Sequence, residues 1–215
     1  MNPTAKRLIA TTLLAVAASA AHGVTDPQGD FLATYTGVQA ADVDVLSAFG
    51  SYNAGSGTFT FGATLNGAIG TTANSMYVWG VNRGAGTERL NVSPIPLAPG
   101  VKFDAVINVT GAGSGTLNLF AGPAAALPGG AISITGNSLT VTLAASLLPS
   151  TGFAAGAYTW SFWPRVGSGS RDQISDFAPN AGALTVSAVP EPGALAMLVA
   201  GLAVVGAAAR RRAAR

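Results

Sequence analysis

The chain has 215 residues, which is enough for one ordinary domain together with targeting segments. Only 9% of the residues are charged, against about 25% in a typical protein, and 28 are glycine. This composition favours many short strands joined by turns over charged amphipathic helices. Residues 24–188 carry five basic and eight acidic side chains, a net charge of −3, which argues against a nucleic-acid partner. The absence of cysteine excludes disulfides, thiolate metal sites and a cysteine nucleophile.

The first 23 residues predict a secretory signal peptide. Two basic residues precede an apolar stretch at residues 8–18, and small residues follow, which is the order of a signal sequence. The small residues allow cleavage before Ala21 or before Val24. A buried helix or an N-terminal membrane anchor is the alternative, but the apolar stretch is short for an anchor. We therefore expect an N-terminal signal helix, passage through the secretion machinery, and a domain over residues 24–188.

Between the two ends the sequence predicts about nine short strands. Residues 58–65 alternate Thr with Phe, and residues 75–82 are rich in aromatic and β-branched side chains. The other predicted strands lie at residues 42–50, 101–110, 115–121, 131–135, 138–143, 157–164 and 183–188. Gly136-Asn137 suits a tight hairpin turn, and residues 144–148 suggest a single helical turn. We expect an all-β fold, an antiparallel β-sandwich or jelly roll of about nine strands, flanked by the signal helix and a C-terminal transmembrane helix.

Residues 189–215 predict an anchoring segment. Two prolines impose an extended stop before 16 apolar residues at 194–209, which would rise about 24 Å as a helix. We place the transmembrane helix at about residues 193–209. Arginine clusters stay on the cytoplasmic side, so the body of the protein lies outside. The segment holds the motif residues Pro190, Glu191 and Pro192 and the membrane-flanking residues Arg210, Arg211 and Arg212.

This order of V-P-E-P, a short apolar helix and a final arginine cluster resembles the PEP-CTERM sorting domain of Gram-negative bacteria. The resemblance implies that an exosortase, a membrane-embedded cysteine protease-transpeptidase, recognises Pro190, Glu191 and Pro192 and processes the chain near them. It further implies an inner-membrane intermediate, followed by release or transfer to the cell surface. The family is associated with exopolysaccharide and biofilm matrix. A plain C-terminal membrane anchor is the alternative.

The central segment resembles, at the level of pattern, the ligand-binding sandwiches typified by DOMON domains and family 9 carbohydrate-binding modules. The matching features are D-x-x-G-D at residues 26–30, D-x-D-V at residues 42–45, a Y-V-W-G-V strand, and a late aromatic strand followed by an acidic loop. The resemblance implies a β-sandwich that binds carbohydrate or another ligand.

Half of the eight acidic residues in the central segment fall within 19 positions, at Asp26, Asp30, Asp42 and Asp44. Calcium takes six to eight oxygen ligands, and on a strand Asp42 and Asp44 would point to the same face. The four residues are therefore a candidate calcium site, and no other cofactor is expected. The alternative is a set of solvated loop carboxylates and turn-forming residues, since the spacing does not match an EF-hand.

Aromatic residues on the predicted strands suggest either a core or a platform for sugar stacking. Two pairs at i and i+2 share a face, which suits a core. These pairs are Tyr77 with Trp79 and Tyr158 with Trp160. Trp163 lies beside Pro164 and Arg165 at a strand end, so we expect it to be exposed and a candidate ligand-binding residue.

No catalytic site is expected, because the single histidine, His22, lies beside the predicted cleavage point and leaves the domain without a Ser-His-Asp arrangement. The leading hypothesis is an exported cell-surface or extracellular-matrix protein with a non-catalytic structural or binding role. The alternatives are a calcium-dependent carbohydrate-binding module and a glycan-active enzyme, which would need two carboxylates facing each other. The expected partners are an exosortase-type protease, the secretion machinery, the inner membrane and, as a candidate, exopolysaccharide.

Overall fold

The computed structural model describes residues 23–189, 200–206 and 210–211. The predicted signal helix, the motif residues Pro190, Glu191 and Pro192, and Arg212 lie outside the described residues. Residues 200–206 are helical, as are Arg210 and Arg211, which are exposed. Within the described parts of the chain, no helix is both long enough and apolar enough to cross a membrane.

Short strands dominate the described structure. They are β1 (Gly23–Thr25), β2 (Val45–Asn53), β3 (Thr58–Leu65), β4 (Ser75–Asn82), β5 (Asn91–Val92), β6 (Ile95–Pro96), β7 (Ala105–Thr110), β8 (Gly115–Asn118), β9 (Ala125–Ala126), β10 (Ile132–Thr135), β11 (Ser138–Ala144), β12 (Thr159–Val166), β13 (Leu184–Thr185) and β14 (Ser187–Ala188). Single turns of 3-10 helix lie at Ala41–Val43, Ala145–Leu147, Ala155–Ala157 and Arg171–Gln173.

The strands pair into two large antiparallel sheets and one small ribbon. The first sheet has the order β1-β2-β3-β11-β10, and β14 adds to β2 as its only parallel pairing. The second sheet has the order β13-β12-β4-β7-β8-β9, and β5 pairs with β6 separately. Because strands distant in sequence are neighbours in both sheets, loops from the two ends of the domain are brought together.

One apolar core contains side chains from both large sheets. Phe59 and Phe61 alternate with threonines along β3 and are fully buried, as the period of two predicts. The Phe61 ring centroid lies 6.4 Å from that of Trp79 on β4, which in turn lies 4.7 Å from that of Phe162 on β12. The first sheet therefore packs on the second through large rings.

Gly50 on β2 gives the Trp160 ring the space it needs. A Cβ at position 50 would lie 2.6 Å from that ring, closer than real Cβ contacts allow. Trp160, on β12 of the second sheet, is fully buried. The absence of a side chain at Gly50 on the first sheet thus leaves room for the Trp160 ring of the second sheet.

The second sheet is also covered on its outer face. Val78, Val106 and Trp163 point to the side opposite the main core and form a second apolar cluster with Phe103 and Phe177. The segment between β4 and β7 and the segment after β12 supply that cover. Strands of this sheet consequently bury consecutive residues, as seen in the unbroken burial of residues 77–82.

The predicted strands agree with the structure in most places. β3 and β4 have the predicted bounds, and the predicted hairpin is confirmed because Thr135 pairs with Ser138 across Gly136-Asn137. The helical turn is also confirmed, at Ala145–Leu147. The prediction that residues 42–44 begin a strand is wrong, because they form a 3-10 turn and its cap. The short strands β1, β5, β6 and β9 were not predicted.

The phenylalanine pair Phe61 and Phe153 tests the position of the core. Phe61 is fully buried whereas Phe153 is 38% exposed. We expect Phe61→Ala to lower the free energy of unfolding by roughly 3–5 kcal/mol, because it leaves a cavity between the sheets. Phe153→Ala, the matched control, should change it by less than about 1 kcal/mol. Urea unfolding followed by tryptophan fluorescence measures both, and equal losses would contradict the assigned core.

Candidate metal centre

Three carboxylates distant in sequence lie together at one edge of the domain. Asp26, Asp30 and Asp176 each offer an oxygen, and these oxygens lie within 4.8 Å of one another. Asp176 is fully buried, and the other two are partly buried. These three residues form the acidic cluster of the domain.

Backbone hydrogen bonds between the two segments build the acidic cluster. The Asp26 amide donates to the Leu46 carbonyl over 2.9 Å, which continues the pairing of β1 with β2. The Leu32 amide donates to the Ser175 carbonyl over 2.9 Å. The Ser175 hydroxyl donates to the Val43 carbonyl over 2.7 Å. The loop after β1 is thereby joined to the loop after β12.

Asp176 is held rigidly by backbone donors. Its Oδ2 accepts from the Val45 amide at 2.8 Å, and its Oδ1 accepts from the Phe177 amide at 2.7 Å. Asp30 is held from one side only, because its Oδ2 accepts from the Asn180 side-chain amide at 2.9 Å. Asp26 Oδ2 and Asp30 Oδ1 are buried oxygens that have no hydrogen-bond partner among the described residues.

The electrostatics of the acidic cluster disfavour its charged form. Burial, followed by the charges of Asp176 and Asp30, raises the pKa of Asp26 to about 8. Burial likewise raises the pKa of Asp176 to about 7, against the lowering effect of its two backbone hydrogen bonds. In the part of the chain that the structure describes, the single salt bridge is Arg83–Asp104, so no cationic side chain neutralises these carboxylates.

Asp44 lies next to the acidic cluster but turns its oxygens elsewhere. Both oxygens accept from the Gly29 amide, at 2.9 and 3.1 Å, and Oδ2 accepts from the Asn66 side-chain amide at 3.0 Å. Its charge still contributes to the raised pKa values of Asp26 and Asp176. Asp44 therefore fixes the turn that carries Asp30 and adds to the negative potential.

Asp42 does not join the other predicted ligands. Its carboxylate accepts from the amide and hydroxyl of Thr72 and from the Tyr77 hydroxyl, so its oxygens are already satisfied. The expectation that Asp42 and Asp44 share a strand face is wrong, because the 3-10 turn at Ala41–Val43 replaces the strand there. The structure instead brings in Asp176, whose signal in the sequence was the acidic loop after the late aromatic strand.

Trp163 is not exposed, contrary to expectation. It is 3% exposed, and its ring lies 5.4 Å from that of Phe103 and 5.6 Å from that of Phe177. The reason is that the second sheet is covered on its outer face as well as its inner face. Its ring has no free face for a ligand in this structure.

Arg83, in the loop after β4, forms a buried polar centre. Its Nε donates to Asp104 Oδ1 at 3.0 Å, and its terminal nitrogens donate to the carbonyls of Pro149 and Asp104. Burial alone would raise the pKa of Asp104, but hydrogen bonds from Thr151 and Arg83 hold it below its usual value. The pair ties the loop after β4 to residues near 150.

Residues 188–212 match the PEP-CTERM protein-sorting motif. The match starts within β14, so the motif follows directly on the folded domain. The motif indicates export through an exosortase-type sorting system, with processing by a membrane enzyme and a membrane-anchored sorting intermediate. No curated protein matches the chain.

The Arg83–Asp104 pair predicts a pH-dependent contribution to stability. Because the folded pKa of Asp104 lies below its unfolded value, its contribution is present above about pH 4 and is lost as the pH falls through the folded pKa. We expect Asp104→Asn to lower the free energy of unfolding by roughly 3–5 kcal/mol at pH 7, because Arg83 stays buried without a counter-charge. The loss of unfolding free energy in Asp104→Asn should become smaller as the pH falls through the lowered pKa of Asp104, because the native carboxyl then becomes protonated as well.

Denaturant unfolding at pH 7 and over a series of acidic pH values measures this effect, with Asp172→Asn as the matched control. Asp172 is partly exposed, and among the described residues its carboxylate accepts one long hydrogen bond, from the Thr36 hydroxyl at 3.4 Å. Its substitution should change the free energy of unfolding by less than about 0.5 kcal/mol. If Asp104→Asn lowers the free energy of unfolding by the same amount at every pH, the role given to the ion pair is contradicted.

Proposed function

We propose that this chain is a non-catalytic structural protein of the cell surface or extracellular matrix, and that its two packed sheets form a β-sandwich. The observation that carries the proposal is the combination of a sorting tail with a body whose large aromatic side chains are used for packing. The following features support it.

The tyrosines and tryptophans paired on and beside β4 and β12 offer no platform for sugar stacking. Tyr77, Trp79, Tyr158 and Trp160 are at most 1% exposed. Carbohydrate platforms need ring faces open to solvent. This distribution favours a structural body over the alternative of a calcium-dependent carbohydrate-binding module.

Three buried carboxylates are engaged within the protein and are not free to act on a glycan. Asp42, Asp44 and Asp104 accept hydrogen bonds from the protein itself. An open groove of about 790 Å³ is lined by small and polar residues, among them Thr72, Thr110 and Gln173. Its lining includes no carboxylate, arginine or aromatic ring, so the groove has no acid, base or stacking surface.

The helical residues 200–206 support anchoring of the tail in the inner membrane. Leu202, Val204 and Val205 are 64–69% exposed, and water is a poor environment for such a contiguous apolar surface. A bilayer would cover it, and Arg210 and Arg211 beyond it would stay at the cytoplasmic face. In this proposal residues 193–209 cross the membrane until the exosortase releases the body.

The sorting motif itself provides the test. We expect the wild-type protein to lose its tail and leave the inner membrane, whereas replacement of Pro190, Glu191 and Pro192 by alanine should leave the tail attached and the protein in the membrane fraction. Intact mass of the purified protein and membrane fractionation of the producing cells measure both properties.

Glu88→Ala is the matched control, because Glu88 is the other glutamate of the chain and is partly exposed on the folded body. This variant should be processed as the wild type is. If the wild-type protein also keeps its tail and stays in the membrane, the segment is a plain anchor and the proposed matrix role fails.

A further inference from the structure

We propose that Asp26, Asp30 and Asp176 bind one calcium ion, which fastens the N-terminal segment of the domain to the loop after β12. This inference goes beyond the proposed surface role and does not depend on it. It rests on three independent observations of the acidic cluster: geometry, unsatisfied oxygens and uncompensated charge.

The geometry fits a single ion. Ligands bound to one calcium at about 2.3–2.6 Å can lie at most about 5 Å from each other. The oxygens offered by the acidic cluster lie within 4.8 Å of one another. The cluster joins residues that are 150 positions apart in sequence, so local turn formation does not account for it.

Among the described residues, the unsatisfied oxygens distinguish the acidic cluster from the other buried carboxylates. The other buried carboxylates, those of Asp42, Asp44 and Asp104, have their oxygens capped by amide, hydroxyl or guanidinium donors. Asp26 Oδ2 and Asp30 Oδ1 are buried with no such donor in the described structure. A buried acceptor without a partner loses its hydration with no compensating hydrogen bond, so these oxygens are suited to a ligand that the chain does not supply.

The charge of the site calls for a cation. Three carboxylates in contact repel one another, and the described residues supply no basic side chain to them. Protons shared between the carboxyls would relieve part of this repulsion, but only a cation would neutralise all three carboxylates in their charged form. A divalent ion removes the repulsion at neutral pH.

The ligand chemistry selects calcium among the common ions. Every candidate ligand atom is a carboxylate oxygen, which suits hard cations, whereas zinc sites favour imidazole and thiolate. Magnesium demands near-octahedral geometry and keeps most of its waters. Exported modules use calcium at dissociation constants of about 10⁻⁴–10⁻³ M, which fits a domain sent outside the cell. Nearby carbonyls and water would complete the six to eight ligands.

The binding experiment uses the full chain purified in detergent, freed of metal with EDTA and titrated with calcium chloride at pH 8. Equilibrium dialysis should give one ion per chain. At a calcium concentration 100 times the dissociation constant, the folding equilibrium constant should rise about 100-fold, seen as a higher Tm. Magnesium chloride at the same concentration controls for ionic strength and should give a much smaller shift.

Two variants separate metal binding from folding. Asp26→Asn and Asp30→Asn should weaken calcium binding by roughly tenfold or more. In EDTA, however, Asp26→Asn should be at least as stable as the wild type, because one repelling charge is gone. Asp172→Asn, an acidic residue outside the acidic cluster, should bind calcium as the wild type does. Asp176→Asn is a poorer test, because Asp176 also accepts from two backbone amides.

The inference is overturned if the wild type has the same Tm in calcium, magnesium and EDTA at pH 8, since shared protons or water then satisfy the acidic cluster. It is equally overturned if Asp26→Asn and Asp30→Asn bind calcium as tightly as the wild type, because the ion would then lie elsewhere. These outcomes leave the sorting proposal intact, since processing of the tail is measured separately.

Discussion

Large rings packed between the two sheets fix the positions of nearly everything else in the domain. With no cysteine in the chain, burial of apolar surface has to supply the stability that disulfides supply in many exported domains. Phe61 on the first sheet and Trp79 on the second meet near the centre, and Trp160 fills the space left by Gly50. These contacts set how the strands of one sheet lie over those of the other.

The placement of β12 follows from that packing, and it determines where the loop after β12 lies at the edge of the domain. β12 pairs with β4 over its whole length, so the loop that follows it is directed back towards the start of the domain. There Ser175 bonds to both Val43 and Pro164. The loop carries Asp176 to the end of β1, and the acidic cluster is a product of this closure.

Buried acidic groups in this protein are accommodated in different ways. Asp104 is paired with Arg83, Asp42 accepts from hydroxyl and amide donors, and Asp44 accepts from amides of a turn and a side chain. Each arrangement replaces the hydration that the carboxylate loses on folding. The acidic cluster differs because two of its buried oxygens lack any such donor within the described structure. The acidic cluster is therefore distinguished by these oxygens without donors and not by the presence of acidic residues alone.

The sequence by itself determined the features whose physical cause is local. The alternation of threonine and phenylalanine in β3 defines a strand with one buried face, and Gly136-Asn137 defines a tight turn. The sorting motif at the C-terminus is likewise a linear signal and was identified from contiguous residues. The pairs Tyr77 with Trp79 and Tyr158 with Trp160 were correctly expected in the core, because residues at i and i+2 share a face.

Only the tertiary structure decided which residues meet. The sequence predicts that Trp163 is exposed at a strand end. It is buried, because segments distant in sequence cover the outer face of the second sheet. The sequence predicts Asp42 as a metal ligand, yet its carboxylate already accepts a hydrogen bond from Thr72. Asp176 instead lies beside Asp26, from which it is 150 positions distant in sequence. Alternation of apolar and polar residues along a strand indicates which face is apolar, but it does not indicate which segment covers that face. Which segments cover a face, and which residues form the acidic cluster, depends on the pairing of strands that are distant in sequence.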